Sequence, residues 1–211
     1  MISVILPSVR PLKLSECINS VIAASEGVNF EIITITDFPE LPVTNHHMIK
    51  HVVTSRRGVT HAINHGVAAA QGDYLFSLSD EATLGRNALS ALESFCKMHD
   101  NNILATPKHI PYFPFYYYGK MFAPFPFAHR SLIDKVGWFI DPAFKAFYAD
   151  PDLGMRTWSL GFEVKICEEA EIYHNNNMDC PSHKHNVNEY LLHDRELFRK
   201  RWDCLGEFRD P

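Results

Sequence analysis

Two acidic positions stand out in this sequence because packing alone gives no reason for them. Ser79-Asp80-Glu81 follows the apolar run Tyr74 to Leu78, which reads as a buried strand. Carboxylates at a strand tip are suited to holding a hard divalent cation against a diphosphate, since Mg²⁺ and Mn²⁺ take carboxylate and phosphate oxygens. A solvated turn, or an acidic cap for a following helix, accounts for the same three residues. Asp150 precedes Pro151 at a predicted helix start, where it caps the helix, acts as a general base, or does both. His174, Cys180, His183 and His185 form a third cluster. Its spacing matches no standard zinc pattern, and a polar surface loop accounts for it.

The first hundred residues alternate strand and helix signals. Ser3 to Leu6, Glu31 to Thr36, His51 to Thr54, Tyr74 to Leu78 and Ile103 to Thr106 read as strands. Between them Leu14, Ile18, Val21 and Ile22 recur at helical spacing, with a start near Ser15; so do the residues from Gly58 to Ala70 and from Leu89 to Cys96. This order implies parallel crossovers, a sheet covered on both faces, and a ligand site beyond the carboxyl ends of the strands. The strand-end residues are then Pro7-Ser8, Asp37 and Ser79-Asp80-Glu81. Pro111 to Phe127 is rich in proline and aromatic residues, too broken for a long helix or a central strand. Its aromatic side chains Phe113, Phe115, Tyr116, Tyr117 and Tyr118 pack a loop onto the sheet or offer flat faces to a sugar. Pro151 to Ser159 predicts a helix, Glu163 to Ile166 and Glu171 to His174 a strand pair, Asn175 to His185 a loop, and Tyr190 to Trp202 a closing helix.

Bulk properties narrow the function classes. The chain has 211 residues, 46% hydrophobic and 21% charged, which suits one α/β domain over residues 1–211. A formal charge of −5 with scattered basic residues argues against a nucleic-acid partner. No apolar run approaches a membrane span, and the start lacks the basic front of a signal peptide. Five separated cysteines with no C-x-x-C pair point to a reducing, cytoplasmic setting.

Six segments in order resemble the family 2 glycosyltransferases and the wider GT-A group. Ile2 to Ser8 is similar to the opening strand and base-binding loop. Glu31 to Asp37 is similar to a second strand that usually ends in two acids. Gly58-Val59-Thr60-His61-Ala62-Ile63-Asn64-His65-Gly66 resembles a G-x-x-x-A-x-N-x-G segment, and Ser79-Asp80-Glu81 stands where the family has its D-x-D type motif. Lys135 to Phe139 resembles its "VGGF" turn, and Ala149-Asp150-Pro151-Asp152-Leu153 with Arg156 and Gly161-Phe162 its E-D-x-D-L…R…G-F stretch.

The resemblance implies a GT-A fold with a mostly parallel central sheet, a nucleotide-binding half over about 1–107 and an acceptor half over about 108–211. It also implies a nucleoside diphosphate sugar as donor, a UDP-sugar first, a glycan or glycoprotein acceptor, and Mn²⁺ or Mg²⁺. Pro7, Ser8, Arg10, Asp37, Ser79 and Asp80 then hold the nucleotide sugar, with Arg57 or Asn64 nearby. The metal falls to Asp80 or Glu81 with His174, and Asp150 takes the acceptor proton. Thr36, Ser79 and Ala149 stand where the family carries acids. The size is similar to that of one domain of a larger multi-domain transferase, of the kind large algal viruses use on capsid glycans. The competing readings are a non-catalytic nucleotide-sugar-binding domain that has lost these acids, and a nucleotidyltransferase. The latter wants a glycine-rich basic phosphate loop, and Pro7-Ser8-Val9-Arg10-Pro11 has no glycine.

Overall fold

The computed structural model describes residues 1–41, 47–55, 57–112, 115–174 and 181–205. Short β-branched runs form the strands, as their composition dictates: β1 (Ile2–Ser8), β2 (Phe30–Thr36), β3 (Ile49–Val53) and β4 (Tyr74–Ser77). Between them lie α1 (Pro11–Ala23) and α2 (Val59–Ala69). Pro11 opens α1 ahead of the start expected near Ser15, because proline is pre-set for the first helical turn and has no N–H to leave unpaired. After β4 come β5 (Ala82–Leu84), α3 (Ala88–Met98) and β6 (Ile103–Ile110).

The proline- and aromatic-rich segment departs from expectation. It holds a small hairpin, β7 (Tyr116–Tyr117) with β8 (Lys120–Met121), and its last residue begins β9 (Phe127–His129), a strand in the middle of the main sheet. Pro126 has no N–H to give, yet its carbonyl accepts from the Ser77 N–H at 3.1 Å. Phe127 and Ala128 lie past this last proline, so their backbone groups are available to the strands on either side. The helices α4 (Arg130–Val136) and α5 (Ala149–Ser159) follow, then β10 (Glu163–His174) and α6 (Pro181–Trp202). The expected strand pair within 163–174 is one strand, bent by an irregularity between Cys167 and Glu171. Helix α6 begins at Pro181, inside the expected loop, for the same first-turn reason as α1.

The eight-stranded sheet runs β3-β2-β1-β4-β9-β6-β10-β5. Neighbours are parallel from β3 to β4 and between β6 and β10; β9 and β5 run antiparallel to theirs. Both faces are covered. Ile2, Val4 and Leu6 of β1 pack with α1 and α3, whereas Ile5 packs with α2, α4 and α5 on the opposite face, the alternation a strand requires. Gly66 lets α2 lie close on the sheet, for a Cβ there would stand 2.5 Å from Ile5 Cγ2 and 2.7 Å from Ile35 Cδ1. Helix α6 closes that face through Phe198, fully buried against the rings of Tyr117 and Tyr148 at 5.3 Å each. Among the described residues no helix is long and apolar enough to cross a membrane.

Candidate active site

The carboxyl ends of β1, β2 and β4 open onto one cleft of about 330 Å³. Its floor carries Pro7, Ser8 and Arg10 after β1, Thr36 and Asp37 at the end of β2, and Ser79 and Asp80 after β4. The start of α2 contributes one wall with Arg57 and Thr60, and the start of α5 another with Ala149 and Asp150. Strand-end logic pointed to Pro7, Ser8, Asp37, Ser79 and Asp80, and the family resemblance added Arg10, Arg57 and Asp150. Asn64 is the exception. It lies a full turn further along α2 and lines a separate hollow on that helix's outer side.

Asp80 is nearly buried, at 4% exposure, and is held by three donors. Ser8 Oγ donates to its Oδ2 at 2.5 Å and Arg10 Nε at 3.2 Å, while Arg10 Nη2 pairs with Oδ1. The remaining guanidinium nitrogen, Nη1, pairs with Glu81. Burial alone would lower the Arg10 pKa, but the two carboxylates raise it above its ordinary value. Arg10 thus spans the carboxylates that the sequence marked for a cation. The segment after them forms β5, not a helix, so a helix cap does not account for their acidity. Ser79, in the place of a family acid, accepts from the Glu81 N–H at 3.3 Å.

His174 ends β10 edge-on to Phe125, with ring centroids 5.1 Å apart, and beside His109 at 5.8 Å. Its pKa falls to about 4, first because burial penalises the charged ring, then because His109 and Arg10 add positive charge, against an opposing pull from Asp80. The imidazole is therefore neutral at physiological pH with a lone pair to offer. Among the described residues, no three His, Cys, Asp or Glu side chains meet as a cation site. His183 and His185 belong to α6, and Cys180 lies outside the described residues.

Asp150 sits in the first turn of α5, not at its cap. The cap is Tyr148, held at φ 59° with no side-chain capping bond. Asp150 is half-buried on the cleft wall, and desolvation there pushes its pKa up to about 7, opposed by a hydrogen bond from its own backbone N–H. Asp152, two residues on, is fully buried and accepts from Arg156 Nε at 2.8 Å, Arg201 Nη1 at 3.1 Å and Trp202 Nε1 at 3.0 Å. It ties α5 to the end of α6.

Three features of the site lay outside the sequence reading. His185 and Asn186 of α6 reach the cleft, as do Pro124 and Phe125. Thr36, in place of an acid, is buried and spends its hydroxyl on Phe38 O at 2.7 Å with His51 Nε2 at 2.7 Å. Asp194 of α6, fully buried, accepts the backbone N–H groups of Lys145 at 3.1 Å, Ala146 at 2.8 Å and Phe147 at 2.9 Å. That carboxylate fixes the segment leading into α5, and so the position of Asp150.

Residues 3–152 match the family described as Glycosyl transferase family 2. The chain belongs to glycosyl transferase family 2. Solved structures agree on the fold. The chain is similar to GalNAc-T7, crystallised with UDP, GalNAc and Mn²⁺, with a TM-score of 0.66 and 14% identity over 98% of this chain and 52% of that one. It is similar also to residues 1–349 of TarS from S. aureus, with a TM-score of 0.62 and 14% identity over 97% of this chain and 74% of that one. A further TarS structure gives 0.62 at 12% identity, over 98% and 44%. The chain spans about half the length of GalNAc-T7. No curated protein sequence matches it. The GT-A fold expected from sequence is the fold of this family 2 glycosyltransferase.

Proposed function

We propose that this family 2 member moves a sugar from a nucleoside diphosphate sugar, a UDP-sugar first, to a hydroxyl of a glycan or glycoprotein acceptor. One observation carries the reading: the strand-end carboxylate Asp80 and the raised-pKa carboxylate Asp150 line the same cleft. Pro7, Ser8, Asp37 and Arg57 surround the nucleoside end, and Arg10 lies where a diphosphate would find a guanidinium. Asp150 accepts the proton of the acceptor hydroxyl. The acceptor oxygen bonds to the anomeric carbon as the bond from that carbon to the diphosphate oxygen breaks, and the nucleoside diphosphate leaves. A pKa near 7 suits a base working at neutral pH, where one group contributes about 10²- to 10⁴-fold.

The donor types suit a hard divalent cation, Mn²⁺ or Mg²⁺, although Asp80, Glu81 and His174 do not meet as a ready-made set. Asp80 and Glu81 offer carboxylate oxygens, and His174 offers a neutral imidazole. Arg10 holds both carboxylates here, so Asp80 and Glu81 would have to release it to hold a cation. When bound, the cation neutralises charge on the departing diphosphate. The Mn²⁺ and UDP in the GalNAc-T7 crystal support this reading of the site.

The test is release of free nucleotide from a panel of nucleotide sugars by the purified protein, with Mn²⁺ or with chelator, with and without glycan acceptor. Metal-dependent release of UDP, faster with acceptor, is the expected result. Nucleotide binding without turnover for any donor would make the chain a binding domain instead.

A further inference from the structure

Beside the donor cleft, the outer face of α2 and the loop before α5 enclose a second hollow of about 390 Å³. His61, Asn64 and His65 reach it from one helix face, as three- and four-residue spacing dictates. Arg57 enters from the turn before α2, and Lys145 from the facing loop. Among the described residues no acidic side chain lines this hollow. Two acids bonded to this loop are engaged elsewhere: Asp141 accepts from Arg201 at 2.7 Å and from the Ala143 N–H at 2.8 Å, and Asp194 accepts the loop's backbone N–H groups.

Other cations of the chain have acidic partners, among them Arg10, Arg156 and Arg201. Among the described residues, the charged ends of Arg57 and Lys145 have no acidic partner. The rings of His61 and His65 meet edge-on with centroids 4.5 Å apart. Burial lowers the His61 pKa, and the positive charge of His65, Arg57 and Lys145 lowers it further, so these groups converge in space. Asn64 lines the hollow, and its amide nitrogen Nδ2, shielded from solvent, has no hydrogen-bond partner, a state that costs about 1–3 kcal/mol. Donors and positive charge dominate this hollow, and an oxyanion supplies what it lacks.

We propose that this hollow is a phosphate site for the acceptor, so that the enzyme prefers an acceptor carrying a phosphate group next to the hydroxyl it glycosylates. The assignment to the acceptor rests on the proposed transfer reaction; the phosphate site itself does not. Arg57 lines both cavities. The Thr60 N–H donates to Lys145 O at 3.1 Å, joining α2 to the loop that carries Lys145 on the hollow side and Ala146 on the cleft side, just ahead of Ala149 and Asp150 in α5. The donor's diphosphate belongs at the strand ends with Arg10, so a second phosphate at Arg57 and Lys145 comes from the other substrate.

Calorimetry on the full chain tests this without requiring turnover. In the presence of saturating UDP, inorganic phosphate and a hexose phosphate should both bind, the hexose phosphate more tightly than the free hexose. Lys145→Ala and His65→Ala should each weaken both phosphates, Lys145→Ala by about tenfold or more, the loss of one charge-assisted contact. Affinity for UDP should stay unchanged, since neither residue lines the donor cleft. A melting curve matching the wild type shows that the variants fold; Lys145 contributes to the loop through its backbone, which alanine retains. Complete displacement of phosphate by UDP would overturn the proposal, because the donor cleft would be the anion site. Unchanged phosphate affinity in Lys145→Ala would also overturn it. Equal affinity for the hexose and its phosphate would reduce the hollow to a site for free phosphate and remove the acceptor from it.

Discussion

Arg10 meets Asp80 through two nitrogens, Nε and Nη2, one to each carboxylate oxygen, while its third reaches Glu81. A guanidinium fork matched to a buried carboxylate is a strong and directional pair. Here it lies on the two side chains expected to hold a divalent cation. Arginine and metal therefore compete for the same oxygens, and the negative diphosphate of a donor offers Arg10 another partner.

Arg10→Gln should strengthen Mn²⁺ binding to the nucleotide-free protein by about tenfold or more, because a full positive charge leaves the carboxylates' side. The same change should weaken UDP. Mn²⁺ binding is read from the free-ion signal in electron paramagnetic resonance or by calorimetry. Unchanged Mn²⁺ affinity would mean that Asp80 and Glu81 are not the cation's ligands.

Asp37 stands at the end of β2, exposed and facing the cleft, while the neighbouring Thr36 is buried and bonded to Phe38 and His51. Asp37 is thus the acid that remains at this strand end for a base or ribose. Asp37→Ala should raise the donor KM while kcat changes little, the pattern of binding lost equally in ground and transition states. A normal donor KM would assign Asp37 to the turn alone.

Asp194 concentrates three backbone N–H groups on one buried carboxylate. Asp194→Ala leaves them without an acceptor, which should destabilise the fold by roughly 3 kcal/mol or more and lower Tm by about 6–12 °C. Asn, which keeps one carbonyl oxygen, should recover part of that loss. A thermal melt checks both variants, and an unchanged Tm in Asp194→Ala would show that water replaces the carboxylate at no cost.

The strand-end residues were legible because the period and order of β1 to β4 fix where their carboxyl ends must gather, whatever the loops do. Ser8, Asp37 and Asp80 follow from that rule, and Arg10 from the family resemblance. Asn64 came from a segment that resembles a family motif, and helical spacing places it at the second hollow and not on the cleft that Thr60 lines. β9 was hidden because a three-residue central strand carries too little pattern to show at the end of a segment broken by Pro111, Pro114, Pro124 and Pro126 and crowded with aromatic residues. Asp194 gave no signal at all. It is one acid in a polar helix, and its role depends on a loop some fifty residues away in the chain.

Asp150 carries the chemistry of the proposed reaction, and its environment yields two separate readouts. The sequence left Asp150 as a helix cap, a general base or both, and Asp152 as an ordinary helix residue. The structure changes both expectations. Asp150 is not the cap, and Asp152 is a fully buried link to Arg156, Arg201 and Trp202, so Asp152→Asn should destabilise the protein. Burial raises the Asp150 pKa from its ordinary 3.8 to about 7. The folded protein therefore binds more protons here than the unfolded chain between these values, and stability falls as pH rises across that window. Asp150→Asn removes the penalty of the buried charge. Its Tm should exceed the wild type's at pH 8, and the two should converge below pH 4. Transfer should fall by about 10²- to 10⁴-fold with UDP affinity nearly intact. In the wild type, kcat should rise with pH through about 7 as the carboxylate loses its proton, and the residual activity of the variant should lose that limb. A variant that gains stability at pH 8 yet transfers sugar at the wild-type rate would keep the buried carboxyl and remove it from the chemistry.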